Sequence, residues 1–262
     1  MEQLCRNIHM PEEVTGILLE LDRTLEHFCL ESLRREETWE AGLLQLRRQL
    51  GEDPDGYKEL CCMLRCAQLA KEECRGLGLT EEIYYATMGC FSRFVREHME
   101  SYGRYGFDRG FWTVRQISCR LFRIGELEYE LTTLEGEKAV SLHIPSDAKL
   151  RKGLLEDSLS AAREVIGKDF PDYKDSVMFC HSWLLSPTLK ELLPPASNIL
   201  TFQSFFEIQP LPNANEDVQL WVFKNPELPP EQYPEDTSLQ RKLKKHLLEG
   251  GTFLDAKGIL RF

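Results

Sequence analysis

Apolar positions along this chain follow two different periods. Through about the first hundred residues they recur three or four apart, in TGILLELDRTLEHFCLESL, ETWEAGLLQLRRQL, GYKELCCMLRCAQLAKEECRGL and TEEIYYATMGCFSRFVREHMESY. That is the spacing of amphipathic helices. The breaks carry punctuation: GEDPDG from Gly51 to Gly56, then Arg75-Gly76-Leu77-Gly78, then Thr80 placed to cap a helix opening with Glu81 and Glu82. From Gly125 the period drops to two. Leu127, Tyr129 and Leu131 alternate with Glu126, Glu128 and Glu130, which predicts a half-buried strand with one acidic face. RQISCRLFRI (115–124) reads as a strand before it, and KAVSLHI (138–144) as a strand after the Glu135-Gly136-Glu137 turn. The expectation is an antiparallel meander.

Beyond residue 145 the pattern alternates. LLEDSLSAAREVI puts Leu155, Leu159, Ala162 and Ile166 on one helical face, and SVMFCHSWLL reads as an interior strand. A strand, a helix and a second buried strand predict a right-handed parallel crossover. TLKELL and SNILTFQS read as helical, and FFEIQPL with DVQLWVFK as a closing hairpin. A proline-rich stretch, 226–234, leads to a last helix, SLQRKLKKHLLEG, capped by Thr237 or Ser238. Between the two halves, SYGRYGFDRGFW (101–112) mixes glycines with aromatics. It reads as a joining loop, with the wall of a substrate pocket as the alternative. The fold class is therefore α+β: a helical domain over 1–110 and a mixed α/β domain, its sheet mostly antiparallel, over 111–262.

Charge narrows the partners. The 262 residues carry a formal charge of −11 and a pI near 5.2, so no nucleic acid is expected as a partner, since binding it needs a basic footprint. No apolar run reaches the roughly 18 residues of a membrane span, and the start, MEQLCRNIHMPEE, does not read as a signal peptide. Nine cysteines, an odd number scattered through helical patterns, read as reduced thiols of a cytoplasmic protein. Cys61, Cys62 and Cys66 crowd one helix, but further ligands at zinc spacing are not evident, and small buried residues are the simpler reading.

One stretch carries concentrated charge. In HIPSDAKLRKG (143–153), Lys149, Arg151 and Lys152 stand where a strand hands over to a helix. Free amides at a helix N-terminus bind anions, while cations there disfavour the helix itself. A bound anion would explain them; a solvated basic turn is the alternative.

The order of elements, together with GFDRGFWTVRQISCRLFRIGELEYEL, LHIPSDAKL, FCHSWLLSPTLKELLPPASNILTFQSFFEI and TSLQRKLKKHLLEGG, resembles the bacterial acyltransferase-domain family that joins a helical N-terminal domain to a GNAT-like C-terminal domain. The resemblance covers about residues 105 to 255. It implies a wedge between strands at about 139–145 and 176–184, an acyl-CoA such as acetyl-CoA in that wedge, and transfer of the acyl group to a small-molecule or peptide amine. The pyrophosphate would meet Ser146, Lys149, Arg151, Lys152 and Gly153. The chain departs from ordinary GNAT enzymes in two ways: their glycine-bearing phosphate loop is replaced by SDAKLRKG, and the segment that often carries an acidic tyrosine offers Phe202, Phe205 and Phe206.

Acyl transfer to an amine needs a base and donors for the developing oxyanion. His181 is the candidate base, His143 stands on the other wedge strand, and Ser182 is the candidate acid to the departing thiolate. Each has a purely structural alternative. Ser197 and Asn198, near Gln203, are candidates for the pantetheine arm or for helix caps. Thr237, Gln240 and Arg241 read as capping and buried pairing. Asp108 and Arg109 would meet substrate or tie the two halves together. A second class of function stays open: a degenerate GNAT-like module that senses CoA or another anion, or a scaffold.

Overall fold

A computed structural model describes residues 1–214, 216–224 and 228–261. The chain packs as two compact units. One comprises residues 1–124, 128–130 and 164–171, the other 125–127, 131–163 and 172–262.

The first unit is helical: α1 (Glu2–Asn7), α2 (Glu12–Thr24), α3 (Trp39–Leu50), α4 (Tyr57–Gly76), α5 (Glu81–Tyr102) and α6 (Gly110–Ile117), followed by strand β1 (Leu121–Ile124). Helix α4 is its axle and packs against α2, α3, α5 and α6. Leu60, Cys61, Cys62, Met63, Leu64, Cys66, Ala67 and Ala70 are fully buried, so α4 is apolar around much of its circumference, as a helix enclosed by others must be. The run expected to be helical from 15 to 33 stops at Thr24. Arg65, buried on α4, donates to the carbonyls of Asp22, Leu25 and Glu26 and to the Asp22 carboxylate. It takes acceptors the next helical turn would need, and Leu25 turns extended. The strand expected over 115–124 is also corrected: its first part ends α6, because Gly110, Thr113, Val114 and Ile117 are buried at helical spacing.

The second unit holds β2 (Leu127–Leu134), β3 (Glu137–His143), most of α7 (Lys152–Asp169), β4 (Val177–Ser182), the short α8 (Leu189–Leu192) and α9 (Asn198–Gln203), β5 (Phe206–Ala214), α10 (Glu216–Trp221), α11 (Ser238–Leu248) and β6 (Leu254–Leu260). The strand order is β1-β2-β3-β4-β6-β5. Two-residue turns join β1 to β2 and β2 to β3, and the second, Glu135-Gly136, has both residues at positive φ, the twist that suits a hairpin. Strands β3 and β4 run parallel, while β4–β6 and β6–β5 are antiparallel. The crossover face Leu155, Leu159, Ala162 and Ile166 is buried as expected.

The expected closing hairpin does not form. DVQLW is helical in α10, and Val218, Val222 and Phe223 join Leu189, Tyr233, Leu243 and Phe253 in a second core cluster. The 218/222 spacing is one helical turn, so a helix puts both valines into that cluster. The strand that closes the sheet is β6, between β4 and β5. Strand β5 is left at the sheet edge, with Pro210 and Pro212 within it. No helix among the described residues is long and apolar enough to cross a membrane.

Candidate functional site

The parallel seam between β3 and β4 is short. Ala139 pairs with Val177, Val140 with Met178 and Ser141 with Phe179. Beyond it β3 runs on to His143 and β4 to Ser182, while β4 stays paired with β6 through Ser182↔Ala256. Continuing the register sets His143 level with His181. Alternation assigns sides: Val140, Leu142, Met178 and Cys180 are buried on one face, and Ser141, His143, Phe179 and His181 share the other. On that second face Lys257 pairs with His181, and Gln209 with Lys257. A polar row thus crosses four strands where the seam ends. His181 is exposed and His143 half-buried. The Lys257 Nζ is 3.5 Å from the Glu135 carboxylate.

Ser182 is buried, and its hydroxyl oxygen accepts a 3.1 Å bond from the Leu184 amide, capping a 3-10 turn over Trp183–Leu185. One lone pair is occupied; the hydroxyl proton is free to point elsewhere.

The basic loop follows His143. Ala148 N–H donates to the Pro145 carbonyl at 3.0 Å, Arg151 N–H to the Lys149 carbonyl at 2.8 Å, and Leu155 N–H to the Arg151 carbonyl at 3.0 Å. Arg151 is therefore the N-cap of α7, and the amides of Lys152, Gly153 and Leu154 lie in its first turn without an intrahelical acceptor. Ser146, Lys149, Arg151, Lys152 and Gly153 are all exposed. Lys152 reaches Glu156 at 3.7 Å. Glu126, in the β1–β2 turn, was not singled out from sequence: its carboxylate accepts the Lys149 amide at 2.7 Å. Only the acidic face of GELEYEL hinted at it.

Ser197 caps α9 by accepting from the Ile199 amide, and Asn198 is exposed at the helix start. Gln203, at the other end of α9, is 3% exposed and donates 2.9 Å bonds to the Leu184 and Ser186 carbonyls. It also lines an open concavity of about 550 Å³ with Lys190, Leu200, Phe206 and Arg261. Phe206 pairs with Leu260, one residue beyond the Ile259↔Phe179 pair. That concavity therefore lies toward the start of β4, and His181 toward its end.

The remaining candidates are held structurally. Thr237 and Gln240 form a reciprocal capping box, and Gln240 also donates to the Val222 carbonyl. Arg241 donates to the Glu235 and Asp236 carbonyls. Asp108 pairs with Arg109 at 2.8 Å. In the helical unit a cavity of about 380 Å³ is lined by Asp53, Asp55, Glu59, Asp108, Arg47 and His98. Its carboxylates are engaged: Asp53 accepts from two amides of α4, Glu59 binds Arg47 through two bonds, and Asp55 pairs with Arg104. Burial pushes the thiols of Cys61, Cys62 and Cys66 up to about 11, 12 and 12, against the thiolate that binds metal. No metal-binding group of three His, Cys, Asp or Glu residues occurs among the described residues.

Residues 1–119 match the N-acyltransferase N-terminal domain family, and residues 121–260 match the GNAT-like C-terminal domain family. Two solved structures share the fold. An acyltransferase crystallised with decanoyl-CoA and teicoplanin is 21% identical with a TM-score of 0.79, covering 98% of this chain and 86% of that one. An acyltransferase mutant in complex with octanoyl-CoA is 21% identical with a TM-score of 0.81, covering 99% of this chain and 87% of that one. Among curated proteins no match was found.

Proposed function

This chain belongs to the GNAT-like C-terminal domain family, and from that premise we propose that it is an acyl-CoA-dependent N-acyltransferase acting on a small-molecule amine. The observation that carries the proposal is the three-pair seam between β3 and β4, past which the continued register sets His143 level with His181. Two structural relatives were crystallised with decanoyl-CoA and octanoyl-CoA, and one of them also with teicoplanin. Those ligands support a medium acyl chain and a small-molecule acceptor.

The residues present fit such a donor. Lys149 and Arg151 have no carboxylate partner among the described residues, and the first-turn amides of α7 point out of the helix at the same place. Together they suit a pyrophosphate. The donor supplies a thioester carbonyl activated for attack. The protein supplies the rest. Backbone amides at the end of β4 would polarise that carbonyl. The exposed His181 imidazole takes the proton of the incoming amine. The Ser182 hydroxyl, fixed by its bond from Leu184, gives a proton to the leaving sulfur. Attack is direct, in a ternary complex.

One observation favours a second reading, an anion-sensing module without catalysis: the Glu126 carboxylate occupies the Lys149 amide and brings negative charge to the phosphate end. Calorimetric titration with acetyl-CoA, octanoyl-CoA and CoA comes first, on the wild type, on the Lys149/Arg151/Lys152→Ala triple variant and on His181→Ala. Enzymatic function requires saturable binding that the triple variant weakens, and amine acylation that His181→Ala loses while it still binds. Binding without transfer to any amine of a broad panel supports the sensor. No binding to any of the three removes the proposal.

A further inference from the structure

Two helix ends in the helical unit meet through sulfur. Helix α4 closes with Leu79 N–H bonded to the Cys74 carbonyl and Gly78 N–H to the Arg75 carbonyl, with Gly78 at φ +93°. Helix α6 closes the same way: Arg120 N–H bonds the Arg115 carbonyl and Cys119 N–H the Gln116 carbonyl. This double bond pattern is a Schellman motif, whose left-handed position is normally glycine. At α4 it is Gly78. At α6 it is Cys119, at φ +52°, a conformation that costs any residue with a Cβ. The chain puts a strained cysteine where glycine would be relaxed, and that cysteine's Sγ lies 2.9 Å from the Sγ of Cys74. Both side chains are buried, at 3% and 4% exposure.

We propose that Cys74 and Cys119 are a reversible thiol–disulfide site, closed by a peroxide-class oxidant and reopened by thiol reductants. The reaction balances as two thiols and one hydrogen peroxide giving one disulfide and two waters. The Cys74 sulfur attacks a peroxide oxygen, breaks the O–O bond and becomes a sulfenic acid, and the departing hydroxide takes a proton to form the first water. The Cys119 sulfur then attacks the Cys74 sulfur, and the expelled hydroxide takes the Cys119 proton to form the second. The roles follow from the hydrogen bond between the two, which draws the Cys74 thiol below its ordinary value and, with burial, pushes Cys119 up. Cys74 sits in the last turn of α4, where opening is easiest, so a buried pair remains reachable by a small oxidant. Closure would tie the end of α4 to the end of α6 and enclose all of α5 in a covalent ring.

The test is peptide mapping of the full-length protein, reduced and then treated with hydrogen peroxide or left untreated. Trypsin releases Cys74 in peptide 72–75 and Cys119 in peptide 116–120. The expected result is these two peptides linked, two hydrogens lighter than their sum, with the link reversed by dithiothreitol and seven free thiols of the nine remaining. Cys119→Gly is the informative variant, because glycine relaxes the helix cap while removing the sulfur. It should fold, form no disulfide, and instead trap Cys74 as a dimedone-reactive sulfenic acid while the other seven thiols stay free. All nine thiols remaining free after peroxide, or links that pair other cysteines, would overturn the proposal.

Discussion

Replacing Arg65 with methionine isolates the device that stops α2. Methionine preserves most of the aliphatic stem and its packing on α4 but deletes the guanidinium. Four bonds disappear: 2.9 Å from Nε to the Asp22 carboxylate, 3.0 Å from Nη1 to the Glu26 carbonyl, and 3.0 and 3.2 Å from Nη2 to the Asp22 and Leu25 carbonyls. A typical hydrogen bond contributes a net ~1 kcal/mol, more when charged. Breaking a fully buried ion pair by removing one partner costs ~3–5 kcal/mol. Asp22 is 30% exposed at its side chain, so it retains part of its hydration and the ion-pair share falls to the low end. The expected loss is about 3 kcal/mol in urea unfolding followed by circular dichroism, with an unchanged m value. Arg65→Lys, with one compact donor group in place of a fork, should lose about half as much. A loss below about 1 kcal/mol for methionine would refute the assignment of Arg65 as the stop of α2, since three carbonyls would then have found other donors without cost.

Three further outcomes follow from packing, capping and protonation. Gly258→Ala puts a Cβ 2.7 Å from Leu185 Cδ1 and 2.8 Å from Phe206 Cβ in a central strand, so thermal unfolding should report about 1–3 kcal/mol of overpacking. Thr237→Ala removes half of the capping box of α11 and should cost about 1 kcal/mol in the same assay. Stability should fall in alkali: Cys61, Cys62 and Cys66 are raised from 9.0 to about 11, 12 and 12, so the native state keeps protons that the unfolded chain releases. Their contribution is whole below pH 9 and is lost as pH rises toward 11 to 12, at about 1.4 kcal/mol per pH unit for each thiol titrating. Urea midpoints measured in reductant that stay flat between pH 8.5 and 10.5 would contradict this.

The fold was legible where the decisive contacts are local. Leu127, Tyr129 and Leu131 against Glu126, Glu128 and Glu130 announced β2, although the strand is not half-buried as expected, since Glu128 is 1% exposed and paired with Arg93. Thr80 and Thr237 announced helix starts, and the apolar face from Leu155 to Ile166 announced the crossover. It was illegible where a distant residue decides. Nothing near Thr24 ends a helix; Arg65 does so from another helix. DVQLWVFK carries enough β-branched and aromatic residues to read as a strand, yet Val218 and Val222 go where the second core cluster needs them, in a helix. Strand β6 was missed because LDAKGIL carries glycine and lysine in place of β-branched residues, and its burial depends on lying between β4 and β5. At the candidate site the sequence brought His143, His181 and the basic loop into consideration. It had no means of showing Lys257 beside His181 or Glu126 on the Lys149 amide, because register and a turn contact set both.

The edge position of β5 bears on how copies of this protein behave in crowded solution. An outermost strand offers unpaired backbone groups to any passing chain and is where fibres and runaway oligomers begin. Proline has no N–H to give, and edge strands are where sheets tolerate it. With Pro210 and Pro212 two residues apart in β5, the strand of an approaching copy would meet two missing donors on a segment of fixed φ, interrupted further by the register shift between Pro210 and Ala214. The outermost strand is therefore blunted against self-assembly, and the safeguard resides in the backbone itself, independent of charge, salt or pH.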